Sequence, residues 1–148
     1  MGKRTSRAVA VAAAAVAWTL FVPGVAQAAA AISLAGDARI SASRTLTVPI
    51  EASCDAVGQE TTFIVVTVNQ GRTDRGRFVE GQGDVLDVPC DSAAHSFDVV
   101  VTADKGTWHP GTASLTAIIS YCVPDGGSLS CTTQAFIPFG TPVTLARA

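Results

Sequence analysis

The stretch RFVEGQGDVLDVPC, Arg77–Cys90, carries two short apolar runs on either side of Gly81-Gln82-Gly83-Asp84. Glycine and aspartate supply the backbone freedom that a reversal needs. The spacing predicts a hairpin, with Arg77–Glu80 as one strand and Val85–Cys90 as the other. Leu86, Val88 and Cys90 share one parity, so Cys90 is expected to face a core. The Gly-Gln-Gly triplet is not read as a phosphate loop, because no helical pattern follows it.

The same alternation recurs on both sides. In RTLTVPIEASC, Arg44–Cys54, the apolar parity is Leu46, Val48, Ile50, Ala52 and Cys54. The other parity is Thr45, Thr47, Pro49, Glu51 and Ser53, which marks a half-buried strand. Pro49 has no N–H to donate, so this strand is placed near a sheet edge or at a bulge. Ile32–Leu34 and Ala38–Ile40 form a weak first strand. Thr61–Gln70 is rich in β-branched residues and reads as covered on both faces. Ser96–Thr102 turns Phe97, Val99 and Val101 to one side, and Thr112–Cys122 does so with Ala113, Leu115, Ala117, Ile119 and Tyr121. A last strand, Gln134–Ile137 and Pro142–Ala146, is broken around Pro138 and Gly140. The chain is therefore all-β. About seven strands separated by Gly/Pro/Asp turns predict a two-sheet sandwich of immunoglobulin-like or fibronectin-like form.

The N-terminus reads differently. Lys3, Arg4 and Arg7 precede an apolar run, Ala8–Val22, which Pro23 and Gly24 end. Ala26-Gln27-Ala28 is a small-x-small cleavage pattern, so residues 1–28 read as a secretory signal peptide and 29–148 as one exported domain. The run is short for a bilayer crossing of ~20 residues, and no later segment could span a membrane. Losing three of the ten basic residues leaves seven against twelve acidic ones, a net charge of −5. That balance excludes a nucleic-acid partner, which requires a basic face, and disfavours anionic lipid.

Export and an even cysteine count point to two disulfides. Cys54 and Cys90 lie on apolar parities, whereas Cys122 shares its parity with Ser114, Thr116 and Ser120. The pairing Cys54–Cys90 plus Cys122–Cys131 follows. A bridge needs Cα atoms within about 7 Å, so Val85–Cys90 must cross between sheets or end beside the end of Arg44–Cys54. Chain entropy assigns the longer loop about 4 kcal/mol and the shorter about 2.7 kcal/mol. The eight residues between Cys122 and Cys131 fit neither a metal pair nor a C-x-x-C redox motif. Pro124-Asp125-Gly126-Gly127 is a turn sequence, so these cysteines staple a hairpin or loop tip.

Candidate binding positions are few. Arg72, Arg75 and Arg77 crowd one predicted turn, Trp108 sits in KGTWHPG, and Asp125 lies in the stapled tip. Trp108 either stacks on a ligand or caps the core. His95 and His109 have no partner set visible in sequence and there is no nucleophile elbow, so no catalytic residue is assigned. Asp84, Asp87 and Asp91 are too loosely spaced for calcium. No metal or other cofactor is expected.

Three segments, SCDAVGQETTFIVVTVNQG, VPCDSAAHSFDV and WHPGTASLTA, resemble an uncharacterised family of small secreted actinobacterial proteins. Cys54, Gln70-Gly71, Cys90-Asp91, His95 and Pro110-Gly111-Thr112-Ala113 carry the resemblance, which covers roughly residues 32–146. It implies an exported β-sandwich with no assigned activity; Cys122 and Cys131 stand as additions to the pattern. The functional expectation is a secreted, non-catalytic binding protein whose partner is an unknown extracellular protein or small molecule. The alternatives are a protease or glycosidase inhibitor using the Cys122–Cys131 loop or the Arg72–Arg77 tip, and a small-ligand carrier. The carrier is similar in class to the neocarzinostatin-type apoproteins, from which the long Cys54–Cys90 loop departs.

Overall fold

A computed structural model describes residues 30–55, 61–71 and 78–148. The eight strands are β1 (Ala31–Leu34), β2 (Ala38–Ala42), β3 (Thr45–Ser53), β4 (Thr61–Gln70), β5 (Val79–Val85), β6 (His95–Lys105), β7 (Gly111–Asp125) and β8 (Ser128–Arg147). The proposed signal peptide lies outside the described residues.

The sheet runs β3-β2-β8-β7-β4-β5-β6 and then returns to β3 through a β3–β6 ladder from Thr45–Thr102 to Ala52–His95. It therefore closes into a seven-strand barrel, and the expected two-sheet immunoglobulin-like or fibronectin-like sandwich is wrong. The seven staves are β2 to β8. β1 shares one edge of β3 with β2, pairing with Leu34–Ile50 at its end while β2 begins at Arg39–Thr47. Pro49 lies opposite the gap between β1 and β2, and its carbonyl accepts from Ala35 N at 2.9 Å. Its N faces the same side as its carbonyl, toward the gap, so the missing donor breaks no ladder bond.

The error in fold class begins at Gly81-Gln82-Gly83-Asp84, which is the middle of β5 and not a turn. Val79, Gly81 and Gly83 face inward, and the strand binds β4 along its length and β6 at Glu80–Gln82. The glycines are required by proximity. A Cβ on Gly83 would lie on the Val100 carbonyl, 2.8 Å from its carbon. A Cβ on Gly81 would meet the Thr102 carbonyl and come within 2.8 Å of Trp108 Cζ2. Inward glycines let one strand bend over its neighbour's backbone, which is how a sheet turns the corner needed for closure.

One core fills the barrel. Leu46, Val48 and Ile50 from β3, Ile64, Val66 and Val68 from β4, Val99 and Val101 from β6, and Leu115, Ile119 and Leu145 from β7 and β8 are all buried. The inward parity is the one the alternation gave for β3, for β6 and for β7 up to Ile119; past the register shift there, Ser120 is buried and Tyr121, expected to face inward, is half-buried. β4 differs from expectation, since its outer residues Phe63, Val65, Thr67 and Asn69 are half-buried and one face alone meets the core. β8 is continuous, with the expected break appearing as a bulge. Leu115 pairs with Thr141 and Ala117 with Ile137, so Pro138, Phe139 and Gly140 bulge outward, with Gly140 at φ 83°.

Gly83→Ala is expected to cost about 2 kcal/mol or more, because the intruding Cβ meets backbone that cannot move aside. Gly36→Ala, whose Cβ would find an ordinary 3.8 Å contact with Pro49 Cγ, should stay within about 0.5 kcal/mol of wild type. Urea unfolding measures both. Equal, small effects would restore the turn reading of this segment.

Candidate functional site

Strand direction sorts the loops into two ends. At one end lie the β2–β3 turn, the end of β4, the start of β5, the β6–β7 turn and the last residues of β8. At the other lie Cys54, the β5–β6 connection and the β7–β8 hairpin.

Trp108 stoppers the first end. It is 3% exposed, its indole N–H donates to Arg44 O at 3.1 Å, and its backbone N–H donates to Ser43 O at 2.9 Å. Gln70, buried beside it, donates to His109 O at 2.7 Å and accepts from His109 N at 3.1 Å. The alternative role for Trp108, as a ligand-stacking platform, fails because its faces are spent on the core. The adjoining groove of about 400 Å³ presents Ile40, Thr107, His109 and Arg147 on the outside of the barrel. Arg72, Arg75 and Arg77 lie outside the described residues.

The second end holds both disulfides. Cys54 joins Cys90 with Cα atoms 4.7 Å apart, and Cys122 joins Cys131 at 4.0 Å. This is the pairing that parity gave, but the route of Cys90 differs. β5 stops at Val85, Asp87 takes φ 55°, and the alternation ends there, leaving Leu86 63% exposed and not inward as expected. Val88 still turns in, with its N–H on Thr62 O at 2.9 Å, and Ser92 N donates to Cys54 O at 3.1 Å. Cys90 thus sits in a connection folded across the barrel mouth, beside the end of β3. The Thr62 hydroxyl lies 3.3 Å from its sulfur.

On that connection Asp91 accepts from His95 Nε2 at 2.8 Å and from Ala93 N at 3.0 Å. The His95 hydrogen bond, then the Ala93 one, holds the Asp91 carboxyl below the usual carboxylate range. This resembles two thirds of a triad, but among the described residues no Ser, Thr or Cys side chain hydrogen-bonds to His95. His109 meets only the Thr107 hydroxyl, at 3.3 Å, without a carboxylate. Among the described residues no three His, Cys, Asp or Glu side chains converge on a common point, and no helix is long and apolar enough to cross a membrane.

The feature that sequence reading missed is how charge is distributed around the barrel. Glu51, Glu80, Asp84, Asp98, Asp104 and Lys105 belong to β3, β5 and β6. β4 has no charged residue, and from Gly111 to Ala146 the sole one is Asp125 at the hairpin tip. Adjacent β4, β7 and β8 therefore form an uncharged wall. Its outer face carries Val65 opposite Ile118 and Ile118 opposite Phe136. Phe136 is 64% exposed, Phe139 on the bulge 81%, and Leu129 near the tip 71%.

The hairpin prolongs this wall. Described pairing with β4 ends at Thr61–Cys122, whereas β7 and β8 continue together to Asp125–Ser128. Gly126 and Gly127 both have positive φ, 55° and 96°, which makes the two-residue turn that hairpin twist favours. Asp125, exposed, closes the turn, and the disulfide staples facing strands below it. Comparison with known proteins finds no family model, no curated protein and no solved structure that matches this chain.

Trp108→Ala should lower stability by about 3–5 kcal/mol in denaturant unfolding, whereas a ligand-stacking residue would tolerate the change. Asp91 has a lowered pKa when folded, so its contribution is present above the ordinary carboxylate range and disappears as pH falls through the lowered value. In NMR titration the Ala93 amide of wild type should shift with that protonation, and Asp91→Asn should abolish the shift.

Proposed function

We propose that this is an exported, non-catalytic β-barrel that binds an extracellular protein through the uncharged β4–β7–β8 wall and the stapled hairpin. The observation that carries the reading is the placement of Leu129, Phe136 and Phe139, all exposed, on one strand whose only charged residue is its terminal Arg147. Large apolar side chains exposed on a wall with little charge favour protein contact. The staple keeps the ribbon extended before contact, so less chain entropy is lost on binding. Two disulfides are consistent with an extracellular protein, and residues 1–28 would supply the export signal.

The stapled hairpin also supports the inhibitor reading, since it is a rigid projecting element. A carrier is less well supported, because aliphatic side chains occupy the barrel interior.

Two measurements test the proposal. Protein secreted into the medium should have a mass that begins at Ala29. Immobilised secreted protein should capture a discrete component from the producer's culture medium. Phe136→Glu should abolish that capture while Val100→Glu, on the charged side, leaves it intact. Equal loss with both variants, or capture indifferent to both, overturns the wall as the contact surface. Enzyme panels that lose activity with wild type but not with Leu129→Glu would favour inhibition through the hairpin.

A further inference from the structure

β8 is hydrogen-bonded to β7 along its length, but on its other side it meets only β2, at Ala38–Leu145 to Ile40–Arg147. β1 lies alongside without pairing to it. From Ser128 to Ile137, no described strand covers that side. The direction of the backbone groups follows from the turn. Asp125 and Ser128 close a two-residue hairpin and so form a hydrogen-bonded pair; Pro124–Leu129, Cys122–Cys131 and Ser120–Thr133 are the alternate, non-bonded pairs. The 4.0 Å Cα separation of Cys122 and Cys131 agrees, as does Pro124, which has no N–H to offer β8. The N–H and C=O groups of Leu129, Cys131 and Thr133 therefore point outward, away from β7.

Such an edge is a template for another strand. Natural edges are usually blunted by Lys, Pro or an inward charge, and Leu129–Thr133 has none of these. Its regular stretch is bounded by the turn on one side and by the bulge at Gln134 on the other, where pairing slips between Ile119–Ala135 and Ser120–Thr133. The segment is thus centred on Cys131.

We propose that this edge pairs antiparallel with the same edge of a second copy, with the two-fold axis at Cys131. Leu129 then pairs with Thr133 of the second copy, and the outward groups of all three residues are satisfied in both chains. Charge selects this occupant. Glu51, Glu80, Asp84, Asp98 and Asp104 lie on β3, β5 and β6, and the Leu129–Thr133 edge carries no charge, so two copies joined through β8 bring uncharged edges together and keep these like charges apart; Asp125, at the hairpin tip, is the one acidic residue of β7 and β8. The product is a continuous β7-β8-β8-β7 ribbon that displays both Phe136 side chains on one face. This inference rests on the reading of the uncharged wall as the contacting side.

The test is the mass of the secreted protein by sedimentation between about 1 μM and about 1 mM, together with amide exchange by NMR. A monomer–dimer equilibrium is expected. As the dimer fills, the Leu129, Cys131 and Thr133 amides should slow by about ten-fold or more, in proportion to its population. Leu129→Lys with Thr133→Lys sets like charges opposite each other and should yield monomer. Leu129→Lys with Thr133→Asp sets opposite charges face to face and should restore the dimer. Monomer across the whole range, or a dimer unaffected by either pair, overturns the proposal. Protection of the three amides only after a captured partner is added also overturns the second copy, while leaving the wall reading in place. Dimer formation with partner capture indifferent to Phe136→Glu does the reverse.

Discussion

The barrel depends on backbone lying against backbone where β5 crosses β6. Gly81 and Gly83 turn their missing side chains toward Thr102 and Val100, and no other residue fits without displacing main chain. With β5 continuous, β4 connects to β6; with β6 also paired to β3, the sheet has no alternative but to close. Closure removes most of the free edges that a sandwich would leave and gathers the aliphatic parities of the strands into one interior.

A short barrel has two mouths, and each is closed by a different chemistry. Trp108 supplies bulk at one mouth, oriented by the Arg44 carbonyl and flanked by the Gln70–His109 amide pair. At the other, a connection with little regular structure is drawn across the opening by Cys54–Cys90, by Val88 and by backbone bonds to Thr62 and Cys54. The irregular connection cannot hold itself by a ladder, which explains why the covalent tie is found there. The second disulfide acts differently. It links directly paired strands at the last rung shared with β4, beyond which the ribbon has no further strand neighbour among the described residues.

Around this frame, charge is distributed unevenly. Glu51, Glu80, Asp84, Asp98 and Asp104 sit on the wall made by β3, β5 and β6, while β4, β7 and β8 are partly apolar and carry only Asp125 and Arg147 at their ends. Hydrogen-bonding capacity follows the same division, because the uncovered edge of β8 belongs to the neutral side. Contact surface, open edge and rigid hairpin are therefore continuous, which is why the functional proposals converge on one side of the barrel. The His95–Asp91 hydrogen bond lies on the connection that crosses one mouth, and Trp108 fills the other.

Alternation alone determined which residues of β3 and β6, and of β7 as far as Ile119, face the core; β4, which reads as covered on both faces, meets it with one. With parity, alternation also determined the disulfide partners, since Cys54 reads as inward and Cys122 as outward. The Asp125-Gly126-Gly127 turn and the break at Pro138–Gly140 were legible because their backbone demands are local. Whether the strands form two sheets or one closed sheet was decided only by tertiary structure. An inward-facing strand residue obeys the same period in a sandwich and in a barrel, and a glycine chosen for closeness to a neighbouring strand has the same letter as one chosen for a turn. Trp108 could be read either as a platform or as a stopper until its neighbours were known. The neutral wall was invisible for a related reason: β4 is far from β7 and β8 in sequence, and only pairing places their uncharged faces side by side.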